Sequence, residues 1–138
     1  MANFLREGIT MRHTITITLF LLYFIATETF AVPAKITPHI KMDQFGYLES
    51  MRKVAVIVDP QVGFNAAAAF SPGIGTDDYQ VRRCSDDLVM FSGTLQAWKS
   101  GATHTQSGDR GWYFDFSALT TPGTYYIWDR VNGVGSGR

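Results

Sequence analysis

Two adjacent carboxylate pairs, Asp77-Asp78 and Asp86-Asp87, two histidines, His39 and His104, and one glutamate, Glu49, are the side chains after residue 34 best suited to chemistry. Paired carboxyls can share acid and base work in glycosidic hydrolysis, where inversion needs a separation of about 6.5 to 9.5 Å. They can also hold a hard cation such as calcium. The setting argues against both. Each Asp pair sits among turn residues, where Asp bonds its own backbone, and no Asp-x-x-Asp occurs. His39 and His104 are far apart in sequence, with no third ligand at metal-site spacing. Gly133-Val134-Gly135-Ser136-Gly137 copies part of a nucleotide-binding glycine pattern, yet no helix signal follows it. A Gly-x-Ser-x-Gly elbow is missing as well. The residues therefore supply no catalytic group, no cofactor site and no metal site.

The elements that would position these side chains are short strands. Trp112 to Phe116 and Thr124 to Val131 are aromatic, β-branched and alternating, and Thr121-Pro122-Gly123 between them can only turn. Leu119 lies six residues before Tyr125. That spacing suits a tyrosine corner, in which the Tyr hydroxyl bonds upstream backbone, although a plain hairpin with a buried Tyr fits as well. Further strands are predicted at Ile36–Met42, Lys53–Asp59, Tyr79–Arg83 and Leu88–Ser92, at the spacing of a sandwich. Ala66 to Ala69 could make a helical turn, but flanking Gly and Pro favour a loop or short strand. No stretch reads as a long amphipathic helix. The fold class is all-β, an immunoglobulin-like β-sandwich.

Charge is balanced, with 12 basic and 12 acidic residues in 138, so no long-range field draws in nucleic acid or an anionic membrane. Ile15 to Ala26 is an apolar run behind Arg12-His13, too short for a bilayer of about 30 Å but suited to a signal peptide. Residues 1–34 are read as the signal region, started at Met1 or Met11 and cleaved after Ala31 or Ala34, and residues 35–138 as the sandwich. The protein is then secreted or periplasmic. Cys84 is the single cysteine, which excludes an intrachain disulfide and leaves stability to packing.

If Tyr125 and Ile127 face the core, Tyr126 and Trp128 face outward. An outward aromatic pair in a neutral domain suggests an interface with another protein module or with the faces of sugar rings. Asp43-Gln44-Phe45-Gly46-Tyr47 is a turn in which Asp43 and Gln44 satisfy local backbone, Gly46 takes a positive φ and Tyr47 packs.

Met42-Asp43-Gln44-Phe45-Gly46-Tyr47-Leu48, Lys53-Val54-Ala55-Val56, Ser107-Gly108-Asp109-Arg110-Gly111-Trp112, Asp115-Phe116-Ser117 and Thr121-Pro122-Gly123-Thr124-Tyr125-Tyr126 occur in an order and spacing that resembles one family. It is the N-terminal immunoglobulin-like domain preceding the catalytic module of glycoside hydrolase family 9 enzymes, the cellulase and endoglucanase group. The resemblance implies a non-catalytic module that stabilises and orients a catalytic glycoside hydrolase module in the same chain. It also implies contact with that module through Asp43, Gln44, Tyr47, Tyr126 and Trp128. Glu49 stands where the family commonly has Pro. The family runs on past the equivalent of Ser136 into a further strand, so the sandwich is expected to lack its last strand here and the parent protein to be longer. The rival readings are a stand-alone carbohydrate-binding domain and an adhesin-like domain.

Overall fold

The computed structural model describes residues 33–137. Eight strands form two four-stranded sheets. In chain order they are β1 (Ile40–Lys41), β2 (Val54–Pro60), β3 (Tyr79–Arg83), β4 (Val89–Gly93), β5 (Gln96–Ala97), β6 (Asp109–Asp115), β7 (Tyr125–Asp129) and β8 (Val134–Gly135). The first sheet has the order β1-β2-β6-β5 and the second β4-β3-β7-β8. Every strand pair is antiparallel. Among the described residues there is no α-helix, only 3₁₀ turns at Ala66–Ala68 and Trp98–Gly101. The predicted signal segment up to Val32 lies outside the described residues.

Alternation builds the core. Ala55 and Ile57 of β2 and Phe114 of β6 are completely buried on the inner face of the first sheet. They meet Tyr79 and Val81 of β3 and Ile127 of β7 from the second, each at most 1% exposed. The rings interlock at tilted angles, with Tyr79 and Phe91 lying 5.6 and 5.9 Å from Phe114, a geometry that adds to area burial. β6 and β7 flank the Thr121-Pro122-Gly123 loop but belong to opposite sheets, so this loop carries the chain across the sandwich.

The first predicted strand, Ile36–Met42, is split. Pro38 has no N–H to place in a ladder. Ile36 forms a parallel bridge with Gly135 of the second sheet, and Ile40–Lys41 pairs with β2 in the first. The alanine run makes a 3₁₀ turn at Ala66–Ala68. β5 and β8 are two-residue strands whose signals are too short to stand out. β8 covers β7 at Trp128 and Asp129, and Ser136 N donates to Ile127 O just beyond, at 2.8 Å.

One buried carboxylate ties the second sheet to its loops. Asp129, at the end of β7, is completely buried. Its Oδ2 accepts from Tyr79 Oη at 2.9 Å, Asn132 Nδ2 at 2.8 Å and Gly73 N at 3.4 Å. Its Oδ1 accepts from the backbone N–H groups of Val131 and Asn132, both at 3.0 Å. Donors converge on both oxygens from β3, the 71–78 loop and the turn into β8. Asp129→Asn puts an NH₂ group where one acceptor stood, facing donors. It should lower unfolding stability by about 2 to 4 kcal/mol, since it leaves buried donors unpaired. Urea denaturation of the two proteins measures this, and a loss below about 0.5 kcal/mol would contradict the assignment.

Candidate functional site

The sandwich opens at the end where residues 43–49 face residues 119–125, leaving a cleft of about 410 Å³. Core side chains floor it. Val81 and Ile127 are at most 1% exposed, and Phe116 and Leu119 are 6% and 8% exposed. Tyr47 forms one wall, edge-on to Phe116 with ring centroids 5.4 Å apart. Its hydroxyl donates to Val54 O at 2.7 Å and accepts from Asp43 N at 3.2 Å. Asp43 Oδ1 accepts from Phe45 N at 2.9 Å, and Gly46 has φ of +82°, which a side chain would disfavour. The turn is therefore set by its own Asp43 and Tyr47 side chains and leaves Phe45 exposed. Tyr125 forms the opposite wall, its hydroxyl donating to Thr121 O at 2.9 Å. Leu119 packs beneath, and its N–H donates to Phe116 O at 3.0 Å.

Lys53 lies at the cleft and is 6% exposed. Its ammonium is held by carbonyls, Glu49 O at 2.6 Å and Met51 O at 3.3 Å, with Ser117 O at 3.5 Å. This fastens the 49–51 turn to the residues after β6.

The cleft gathers Asp43, Gln44, Tyr47, Leu119 and Tyr125 and is bordered by Tyr126. Trp128 is not part of it. Tyr126 and Trp128 lie on the outer face of the second sheet, as alternation requires, but this chain covers them. Tyr126 is 3% exposed, and its hydroxyl donates to Asp87 Oδ1. The Arg82 guanidinium lies 5.2 Å above the Trp128 ring and bridges to Asp87 at 3.0 Å. An outward aromatic pair is thus screened by the β3–β4 turn and offers little free ring surface. The reading that alternation exposes both residues holds for direction and not for accessibility.

The sequence reading missed Phe45 and Leu48, which are 100% and 74% exposed beside the cleft. Their signal was available: large apolar residues in an Asp-Gly turn have no strand face to bury them. Met51, on the same stretch, is 43% exposed.

Members of both carboxylate pairs are engaged within the fold. Asp78 accepts from Gly75 N at 2.7 Å and bridges Arg130 at 3.2 Å. Asp86 bridges Arg83 at 2.6 Å, and that bond above all holds its carboxyl down at about 2. The Ser117 hydroxyl, foremost, holds Asp115 below the usual carboxylate range. His39 stacks on Phe70 at 4.6 Å, with Nδ1 donating to Val58 O at 3.1 Å. His104 Nδ1 accepts from Ser107 N at 3.2 Å. Among the described residues no group of three His, Cys, Asp or Glu side chains is placed to hold a metal ion.

Residues 35–136 match the family described as the cellulase N-terminal Ig-like domain. No curated protein matches the chain. Among solved structures, one from Bacteroides ovatus described as GH9 is similar at 23% identity and a TM-score of 0.48, covering 70% of this chain and 14% of that one. A metagenome-derived glycoside hydrolase family 9 endoglucanase is similar at 29% identity and a TM-score of 0.48, covering 71% and 18%. The chain thus spans less than a fifth of the length of either.

Burial, and then the bond to Asp87, push the Tyr126 phenol up to about 12, and burial, with Asp129 beside it, pushes Tyr79 above its ordinary range. The folded Tyr126 keeps its proton to higher pH than the unfolded one. Its contribution is therefore complete below pH of about 10 and declines as pH rises toward about 12. Tyr126→Phe should be less stable at neutral pH yet lose less stability across that window. Urea midpoints measured from pH of about 8 to 12 test this, and parallel curves for the two proteins would refute it.

Proposed function

The chain belongs to the cellulase N-terminal Ig-like domain family, and from that premise we propose that it is the non-catalytic first module of a longer, secreted family 9-type glycoside hydrolase acting on β-glucan. Its role is to stabilise and orient the catalytic module that follows in the same chain. The observation that carries this reading is the cleft end of the sandwich, where Phe45, Leu48 and Met51 stand exposed beside a floor of core residues. A soluble domain that leaves a full phenyl ring and a leucine in water beside an opening into its core is presenting an interface. The fixed turn around Gly46 makes that surface rigid, so ordering it on docking costs little.

Interfaces between domains of one chain bury about 600 to 1,500 Å², and two buried apolar side chains contribute about 3 to 6 kcal/mol. In the parent enzyme, the double variant Phe45→Ser, Leu48→Ser should lower melting of the catalytic module by several degrees and reduce turnover. The same change in the isolated domain should leave its own melting nearly unchanged, because both side chains are already solvated. Differential scanning calorimetry of both proteins checks this. Unchanged melting and turnover of the full enzyme would remove the docking role.

We propose further that the chain is exported and cleaved after Ala31, a reading supported by the use the fold makes of Pro33. Pro33 is buried and lies against Gly135, where an added Cβ would sit 2.5 Å from the proline ring. Lys35 O and Thr37 N then bond Gly135 at 2.8 and 2.9 Å. Cleavage after Ala34 would remove that proline, and cleavage after Ala31 keeps it. The mature protein should begin at Val32, which intact-mass measurement of exported protein reads directly. A mature start at Lys35 would show that the Pro33 contact is dispensable.

A further inference from the structure

A second surface lies away from the docking cleft, on the outer face of the first sheet. There an open groove of about 170 Å³ is lined by Val56, Val58, Trp98, Tyr113 and the 104–110 loop. We propose that this groove binds a neutral hexopyranoside, one ring of a glycan chain. Its base is apolar, with Val56 and Val58 of β2 half-buried beside Tyr113 of β6, which is 36% exposed. Trp98 stands at its side, packed on His104 with ring centroids 5.2 Å apart.

Several polar atoms around these rings lack partners. Asp109 Oδ1 is a buried acceptor with no hydrogen bond. His104 Nδ1 is occupied by Ser107 N, which leaves Nε2–H as a donor. Among the described residues, neither the Tyr113 hydroxyl nor the exposed Arg110 guanidinium makes a hydrogen bond or ion pair. A ligand that answers this set must offer apolar faces to aromatic rings and, at its edge, groups that both donate and accept. A pyranose has C–H faces and a rim of hydroxyls. A purely apolar ligand would leave the Tyr113 hydroxyl and the His104 and Arg110 donors unanswered. The balanced charge of the chain gives no pull toward a polyanion.

The backbone beside Trp98 is strained in a way the core does not require. Lys99 and Ser100 have φ of +41° and +56°, followed by Gly101 at +87°. Successive left-handed residues are rare away from glycine, and they concentrate where a side chain is held for use. Lys99 Nζ lies 4.8 Å from the Trp98 ring, an exposed ion–aromatic contact that a stacking sugar can displace. This site differs in place and chemistry from the docking cleft, so either can fail without the other.

The test is nuclear magnetic resonance titration of the chain with cellohexaose, mannohexaose and xylohexaose. Binding of one of the two hexopyranosides with a dissociation constant of about 1 mM is expected, as roughly a dozen ligand atoms at ordinary ligand efficiency supply. Shifts should centre on Trp98, His104 and Tyr113. Tyr113→Ala, at an exposed position without hydrogen bonds, should fold normally and weaken binding at least about tenfold, and Trp98→Phe should retain part of it. Four results would overturn the proposal: no shifts at about 10 mM of any sugar, a response to xylohexaose alone, affinity unchanged in Tyr113→Ala, or shifts confined to residues 43–49.

Discussion

A carboxylate buried without a cation usually destabilises a fold, and Asp129 is tolerated because donors converge on both of its oxygens. They come from three separate parts of the chain. Tyr79 brings the inner face of β3, Gly73 the preceding loop, and Val131 and Asn132 the turn that leads into β8. The same turn closes with Gly133 N donating to Asp129 O at 2.9 Å. Register follows from this. Tyr79 pairs directly with Asp129 across the ladder, and a shift by one residue would put the Tyr79 ring in water and take its hydroxyl away from the carboxylate. The central pairing of the second sheet, and the start of the strand that guards its edge, are thus fixed by one side chain.

Two glycines set the distances at which the remaining segments approach. A Cβ at Gly108 would lie 2.2 Å from Val62 O, and Gly108 O accepts from both Gln61 and Val62. Only glycine lets the 102–108 loop close on the end of β2, and that closure places Asp109 at the first rung of β6, opposite Pro60. At the other end, Gly135 lets Pro33 sit on β8, so the N-terminal segment begins in the second sheet before crossing to the first. The core rings fill the space between sheets that these contacts have already aligned.

The central strands were legible because their residues serve both ladder and core. β3 was bounded correctly, and β2 differed by one residue at each end, since alternating Val, Ala and Ile in Lys53–Asp59 leaves no other reading. The turn before Tyr125 was legible from Pro-Gly, and the Leu119–Tyr125 spacing suited a crossing between sheets, while a plain hairpin stayed open until the two strands were seen in opposite sheets. What the sequence could not reveal was pairing that depends on a neighbour. β5 and β8 exist only because β6 and β7 offer free edges, and the Ile36–Met42 segment divides between sheets at Pro38. Burial of Tyr126 was hidden for a similar reason. Alternation gives the direction of a side chain, but the cover over it comes from Arg82 and Asp87 on a different strand and turn. Exposure of Phe45 was readable in principle, because a turn built on Asp43 and Gly46 has no interior side.

The faces of the module also differ in how their surfaces are kept. At the cleft, the 43–47 turn is anchored by the Asp43 carboxylate and by the Tyr47 hydroxyl, which also reaches β2, and the apolar side chains are left over. That is suited to a flat, dry contact with a rigid neighbour. On the outer face of the first sheet the apolar residues are half-covered and the polar groups are left over, with Asp109 Oδ1 unpaired. A surface of that kind gains most from a ligand carrying its own hydrogen-bonding rim, because an unpaired buried acceptor costs about 1 to 3 kcal/mol until a donor reaches it. The strained turn at Lys99 and Ser100 adds to that cost. The fold carries both without an evident structural need, and the groove beside Trp98 is where a bound partner would offset them.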